Sequence, residues 1–108
     1  MSSQPIARQT VEQYLEIERA AEFRSEYLNG EVYAMSGGSR NHALIAMEAG
    51  ARLNEQLRDS PCAVAGSDLR LFCEPDQVLT YPDIVVFCEP VKFLDGDEDT
   101  LTDAVVIV

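Results

Sequence analysis

Tyr81-Pro82-Asp83-Ile84-Val85-Val86-Phe87-Cys88 is the stretch from which the fold can be worked out. From Ile84 to Cys88 the residues are apolar and mostly β-branched or aromatic, with no polar alternation. An uninterrupted run of that kind is a strand covered on both faces, which belongs in the middle of a sheet. Pro82 restricts Tyr81 to extended geometry and has no N–H to give to a ladder, so it fits at a strand start. Asp83 is thereby held on a rigid element at the mouth of the sheet, where a carboxylate can bind a hard cation such as Mg2+. A plain Pro-Asp turn ahead of a strand fits the same residues, and the dipeptide alone does not decide between the two.

Working outward, Ala104–Val108 is a second run of the same character. Antiparallel pairing of 84–88 with 104–108 would set the start of the first beside the end of the second. Whatever follows Val108 would then lie next to Asp83, and a fully apolar run with no polar residue after it leads us to expect that the natural domain continues. Further strand-like runs occupy 62–65, 69–73 and 78–81. Upstream, Val11, Tyr14, Leu15 and Glu18 recur at helical spacing, and Thr10 with Gln13 makes a capping-box pattern, so a helix is expected over 11–20. Asn29-Gly30 between two extended runs predicts a tight hairpin with strands at 23–28 and 31–35. Gly37-Gly38-Ser39-Arg40-Asn41 then reads as a loop, with Asn41 capping a helix that runs to Arg58 before Ser60-Pro61. Its row of Ile45, Ala49, Leu53 and Leu57 should pack on a sheet, with Gly50 permitting close approach and Glu48 paired to Arg52 outside. Helix, hairpin, helix and then strands define an α+β (mixed α/β) class, with 1–9 a polar lead-in and 10–108 one domain.

The 108 residues, 46% apolar and 25% charged, suit one globular domain. No stretch approaches the ~20 apolar residues of a membrane span, and no basic-then-apolar leader opens the chain, so the expected setting is cytoplasmic. Eight Lys and Arg against nineteen Asp and Glu give −11, with Lys92 the single lysine. A surface of that sign repels phosphate backbones, which argues against a plain DNA-binding module unless divalent cations offset the carboxylates. Cys62, Cys73 and Cys88 are odd in number, form no CxxC pair and are accompanied by one histidine, His42. The reading is therefore against a disulfide framework or structural zinc, with Cys73 and Cys88 as small buried hydrophobes.

Several polar residues admit two readings. Glu26 and Glu31 flank the hairpin turn, where one could join Asp83 as a further carboxylate ligand or both could simply be solvated. Carboxylates gathered there would hold one or two cations able to activate water and stabilise charge on a phosphodiester. His42 lies in the first turn of the second helix, where an anion could dock, or is a surface histidine without a role. The preceding loop lacks the P-loop pattern. Asp68 and Arg70 are either an orienting pair or part of a turn into a strand, and the turn is preferred. Asp95, Asp97, Glu98 and Asp99 lack the spacing of a calcium loop and read as solvated acids.

Taken together, several segments resemble one family. Tyr14-Leu15, Ser25-Glu26-Tyr27-Leu28-Asn29-Gly30-Glu31-Val32, His42, Gly66-Ser67-Asp68-Leu69-Arg70 and Tyr81-Pro82-Asp83-Ile84-Val85-Val86 occur in the order and spacing of the Uma-type restriction-endonuclease family, a branch of the PD-(D/E)XK nuclease superfamily. The resemblance covers about 10–108. It implies a restriction-endonuclease-like core, a mixed sheet flanked by helices, and Mg2+-dependent hydrolysis of DNA phosphodiesters. By that resemblance Asp83 is the metal-binding aspartate, Glu26 the early acidic ligand with Glu31 as its fallback, and His42 a histidine usual at that helix start. In the family, the strand matching Ala104–Val108 continues into a Glu-Val pair, with a lysine-bearing helix later. The resemblance therefore also implies a C-terminally truncated domain, weakly active or inactive as given. Its runner-up is a non-catalytic module, a homodimer built on exposed strands. A third option, an acidic nucleic-acid mimic, rests on the charge alone.

Overall fold

The computed structural model of the chain describes residues 8–35, 37–94 and 98–108. Asp95 and Asp97 of the acidic run, and most of the polar lead-in, lie outside the described residues. Helix α1 is Val11–Ala20, opened by the expected box: the Thr10 side chain accepts from the Gln13 N–H, and the Gln13 side chain accepts from the Thr10 N–H. Strands β1 (Ser25–Leu28) and β2 (Glu31–Ala34) form the hairpin, with Leu28 opposite Glu31. Both turn residues take positive φ, 45° at Asn29 and 102° at Gly30, the condition that favours Asn-Gly in this turn.

Helix α2 spans Arg40–Gln56, and its cap is Ser39 rather than Asn41. The Ser39 hydroxyl accepts from the His42 N–H at 3.1 Å, which leaves Asn41 inside the first turn. Strands β3 (Cys62–Ala65), β4 (Arg70–Cys73), β5 (Val78–Thr80), β6 (Val85–Cys88), β7 (Thr100–Leu101) and β8 (Val106–Ile107) follow. They make two sheets, in the orders β2-β1-β5-β4-β7 and β3-β6-β8. All pairings are antiparallel except β4 with β7, which is parallel and was not foreseen, since two residues give no readable period.

The first sheet packs on α1 around Tyr14, Leu15, Tyr27, Phe72 and Leu79. A second cluster of Leu71, Val85 and Leu101 joins the two sheets. Each fully buried Leu or Val contributes about 1.5–3 kcal/mol relative to exposure. As predicted, β6 is a central strand with Val85 and Val86 buried, and β8 lies antiparallel beside it. The likeness drawn between the two apolar runs fails in one respect: β8 is an edge strand, and Val105, Val106, Ile107 and Val108 are all exposed.

Two further expectations are corrected. The α2 row is only partly covered: Ala49, Leu53 and Leu57 are half-buried, whereas Ile45 is 69% exposed and no residue of the helix is fully buried. Its main partner is β3, too narrow a surface to cover a 17-residue helix. Cys62 and Cys88 face each other across β3 and β6 and form a disulfide, with Cys73 free. The odd count spoke against a framework, but register opposed these two. Among the described residues no helix is long and apolar enough to cross a membrane.

Candidate active site

The segment that carries Asp83 is anchored from below. Tyr81 is buried, and its hydroxyl donates to Glu18 Oε2 at 2.6 Å while accepting from Arg70 Nη1 at 3.0 Å. Glu18 also accepts from the Ser25 N–H at 2.9 Å, which ties α1 to the start of β1. The buried Arg70 guanidinium donates to Thr100 Oγ1 at 2.9 Å and pairs with Asp99 at 2.8 Å. Asp99 is held again by Arg19, through contacts of 2.8 and 3.0 Å. Charges taken out of water are tolerated only when paired and hydrogen-bonded, and this network meets that condition: among the described residues no buried side-chain N or O lacks a partner.

The titration directions follow from this arrangement. Hydrogen bonds from Arg19, and then Thr100 and the nearby Arg70 charge, hold Asp99 at about 2 despite partial burial. Burial, reinforced by Glu18, raises the Tyr81 phenol. Burial first, and then the neighbouring Tyr81 and Glu18, raises Tyr14 further.

With Tyr81 fixed and Pro82 buried, Asp83 emerges at the mouth of a cleft of about 520 Å³ between α2 and the second sheet. The cleft walls are largely apolar, with Ala43 and Met47 from α2 facing Val64 and Ile84 from the sheet side. His42 meets Asp83 there, Nε2 to Oδ2 at 3.0 Å, with both side chains about half exposed. The histidine is placed by the Ser39 cap, and a side chain at Gly38 would come within 2.8 Å of the imidazole. Opposite, Val108 and Ile84 exchange both backbone hydrogen bonds, so the end of the apolar run does lie beside Asp83, as inferred from the sequence.

The other acidic candidates are not brought to this place. Glu26 accepts a short hydrogen bond from the Thr80 hydroxyl, and Glu31 accepts one from Tyr33 at 2.5 Å. Neither lines the cleft. Among the described residues no group of three or more His, Cys, Asp or Glu is arranged to hold a metal ion. The Mg2+ set of Asp83, Glu26 and Glu31 therefore does not fit the ion as it stands, because Asp83 alone offers the cleft a hard carboxylate. Asp68 and Arg70 are not a pair: Asp68 is exposed and bonds Arg24, while Arg70 belongs to the buried network. Arg24 was not singled out from the sequence, yet it lines the cleft and lies over the Tyr81 ring at 5.4 Å. Glu18 had a readable signal, as a carboxylate on the apolar face of α1.

Two sheets, two helices and a carboxylate at the start of a central strand define an α+β domain of nuclease-like fold. A solved structure with that fold, described as "a putative nuclease belonging to DUF820" from Anabaena variabilis, superposes with a TM-score of 0.68 at 21% identity, covering 86% of this chain and 52% of the other. The chain belongs to the Uma2 family, described as "Putative restriction endonuclease", whose model matches residues 11–108. It is 34% identical over 88 residues to the uncharacterized protein slr1290 of Synechocystis, covering 82% of this chain and 46% of that relative. It is 30% identical over 94 residues to sll1609 of the same organism, covering 87% and 53% respectively. The chain thus spans about half the length of the curated relatives it matches.

Proposed function

We propose that this chain is part of a DNA endonuclease domain in which the cleft at Asp83 and His42 receives a phosphodiester. The observation that carries the reading is the position of Asp83: at the start of a buried central strand, paired with His42 at 3.0 Å, at the mouth of a cleft. Family membership supports it. His42 is assigned the orientation of the Asp83 carboxylate, and the network below Tyr81 the fixing of the backbone that bears it. Mg2+ is the cation the family reading implies, but one carboxylate holds such an ion poorly. Further oxygen ligands would have to join Asp83 for such an ion to be held firmly. The expected setting is cytoplasmic, where the Cys62–Cys88 pair would stand reduced.

The test is plasmid nicking during titration with Mg2+ and Mn2+. Weak, metal-dependent nicking that Asp83→Ala abolishes fits the reading, and no nicking at any metal concentration removes it. Robust cleavage that Asp83→Ala leaves unchanged places the chemistry elsewhere.

A second reading has its own observation, the exposed apolar edge from Val105 to Val108. An unpaired, apolar strand edge invites another chain, which makes a homodimeric interaction module the alternative. Sedimentation decides it: a well-behaved monomer at high concentration removes this reading.

A further inference from the structure

We infer that Arg24 is the phosphate-contacting residue of the cleft, a role that rests on reading the cleft as a DNA phosphodiester site. In a chain of net charge −11, a phosphodiester approaching Asp83 meets repulsion unless a cation lies nearby. Among the described residues, Arg24 is the one arginine or lysine lining the cleft; the other titratable groups lining it are His42, Asp83 and Tyr81. Arg70 is buried and engaged with Tyr81, Thr100 and Asp99. Arg19 is committed to Asp99.

Arg24 is half exposed and positioned rather than adrift. Its guanidinium rests over the Tyr81 ring, and Nη1 donates to the Ser67 carbonyl and to Asp68 at 3.1 Å. Tyr81 is itself fixed by Glu18 and Arg70, so Arg24 and Asp83 are referred to one rigid segment, two residues apart on the sequence at Tyr81 and Asp83. An aromatic face orients a guanidinium without using its N–H groups. Of its five N–H donors, those on Nη1 alone make the hydrogen bonds seen among the described residues. The Asp68 carboxylate is fully exposed, and a solvent-screened pair of this kind holds the guanidinium only weakly. A phosphate can therefore take the remaining donors, as a planar fork suits it.

The test is titration of the ¹⁵N-labelled full chain with a short DNA duplex of mixed sequence, in EDTA and at low salt, following the Arg24 Nε–Hε resonance. That resonance should shift and saturate with the duplex. Arg24→Ala should weaken binding about tenfold, the loss of one charge-assisted contact, and lower the slope of log affinity against log salt by about one. Arg24→Lys should restore the slope but only part of the affinity, and thermal melts should show both variants folded. Arg52→Ala, a surface cation paired with Glu48, should leave both quantities unchanged. An unmoved Arg24 resonance, binding by Arg24→Ala equal to that of Arg52→Ala, or no salt-dependent binding at all overturns the inference. Because no metal is present, absent nicking with an intact Arg24 response would defeat the hydrolytic reading alone.

Discussion

Replacing Arg70 by methionine removes the centre of the buried network while keeping the length of the apolar stem. Three contacts disappear: Nε to Thr100 at 2.9 Å, Nη1 to Tyr81 at 3.0 Å, and the pair with Asp99 at 2.8 Å. All three are donated by the charged guanidinium, and hydrogen bonds of that kind are worth about 1.5–3 kcal/mol each before the surrounding contacts compensate. Two features reduce the loss. Asp99 keeps its bidentate contact with Arg19, and Tyr81 keeps its bond to Glu18. Glu18, only 8% exposed, increases it, because a buried carboxylate is left without the nearby positive charge. The net expectation is a destabilisation of about 3 kcal/mol for Arg70→Met. Arg70→Lys, which keeps the charge but loses the planar fork, should cost about half as much. Urea unfolding followed by circular dichroism measures both, with Arg58→Met as an exposed control expected within about 0.5 kcal/mol of the parent. An Arg70→Met chain as stable as the control would refute the argument that this network holds α1, β4 and the Tyr81 segment together.

Other outcomes follow from single features. Because Asp99 titrates at about 2, below its ordinary value, its contribution is complete above about pH 4 and is lost as the pH falls toward 2; its side chain is 44% exposed, so the screened contribution is about 1 kcal/mol, and Arg19→Met should flatten stability across that window. Gly30→Ala forces a side chain onto a residue at φ 102° and should destabilise the hairpin by about 1–2 kcal/mol, read as a lower urea midpoint at unchanged slope. Cys62 and Cys88 are 26 residues apart in the chain, and in the chain-entropy model opening their bond should cost about 3 kcal/mol, measured by comparing urea midpoints with and without dithiothreitol.

What could be read from the sequence was local. The Thr10–Gln13 box, the Asn29-Gly30 turn and the uninterrupted run after Pro82 each declare themselves within a few residues, and the structure follows them closely. The cap of α2 was displaced because Ser39 and Asn41 are both good caps and only packing chooses between them. The strand β7 and its parallel pairing with β4 escaped notice because a two-residue strand has no period. For the site, Asp83 and His42 were singled out and do meet. Glu26 and Glu31 were chosen by type and position, and their partners turned out to be Thr80 and Tyr33. Arg70 was weighed only as a partner for Asp68, and Glu18 stood out as a carboxylate on the apolar face of α1, but their shared partner Tyr81 lies 63 positions from Glu18 and only the fold brings the three together. Arg24 carries no motif at all; its place is set by the Tyr81 ring, a contact across the fold.

The salt bridge from Arg19 to Asp99 spans 80 positions of sequence, and the parallel docking of β7 on β4 spans 30. Closing loops of that length is entropically costly before any contact rewards it, which slows the search for the native state. A nascent chain emerging from the ribosome can complete its first helix and hairpin early. Arg19 and Arg70 must then wait for their shared counter-ion until residue 99 has been synthesised. During that interval a guanidinium destined for the interior remains hydrated, and the segment that carries Asp83 has no floor. The floor of the cleft is thus completed only when residue 99 joins a helix and hairpin made long before it.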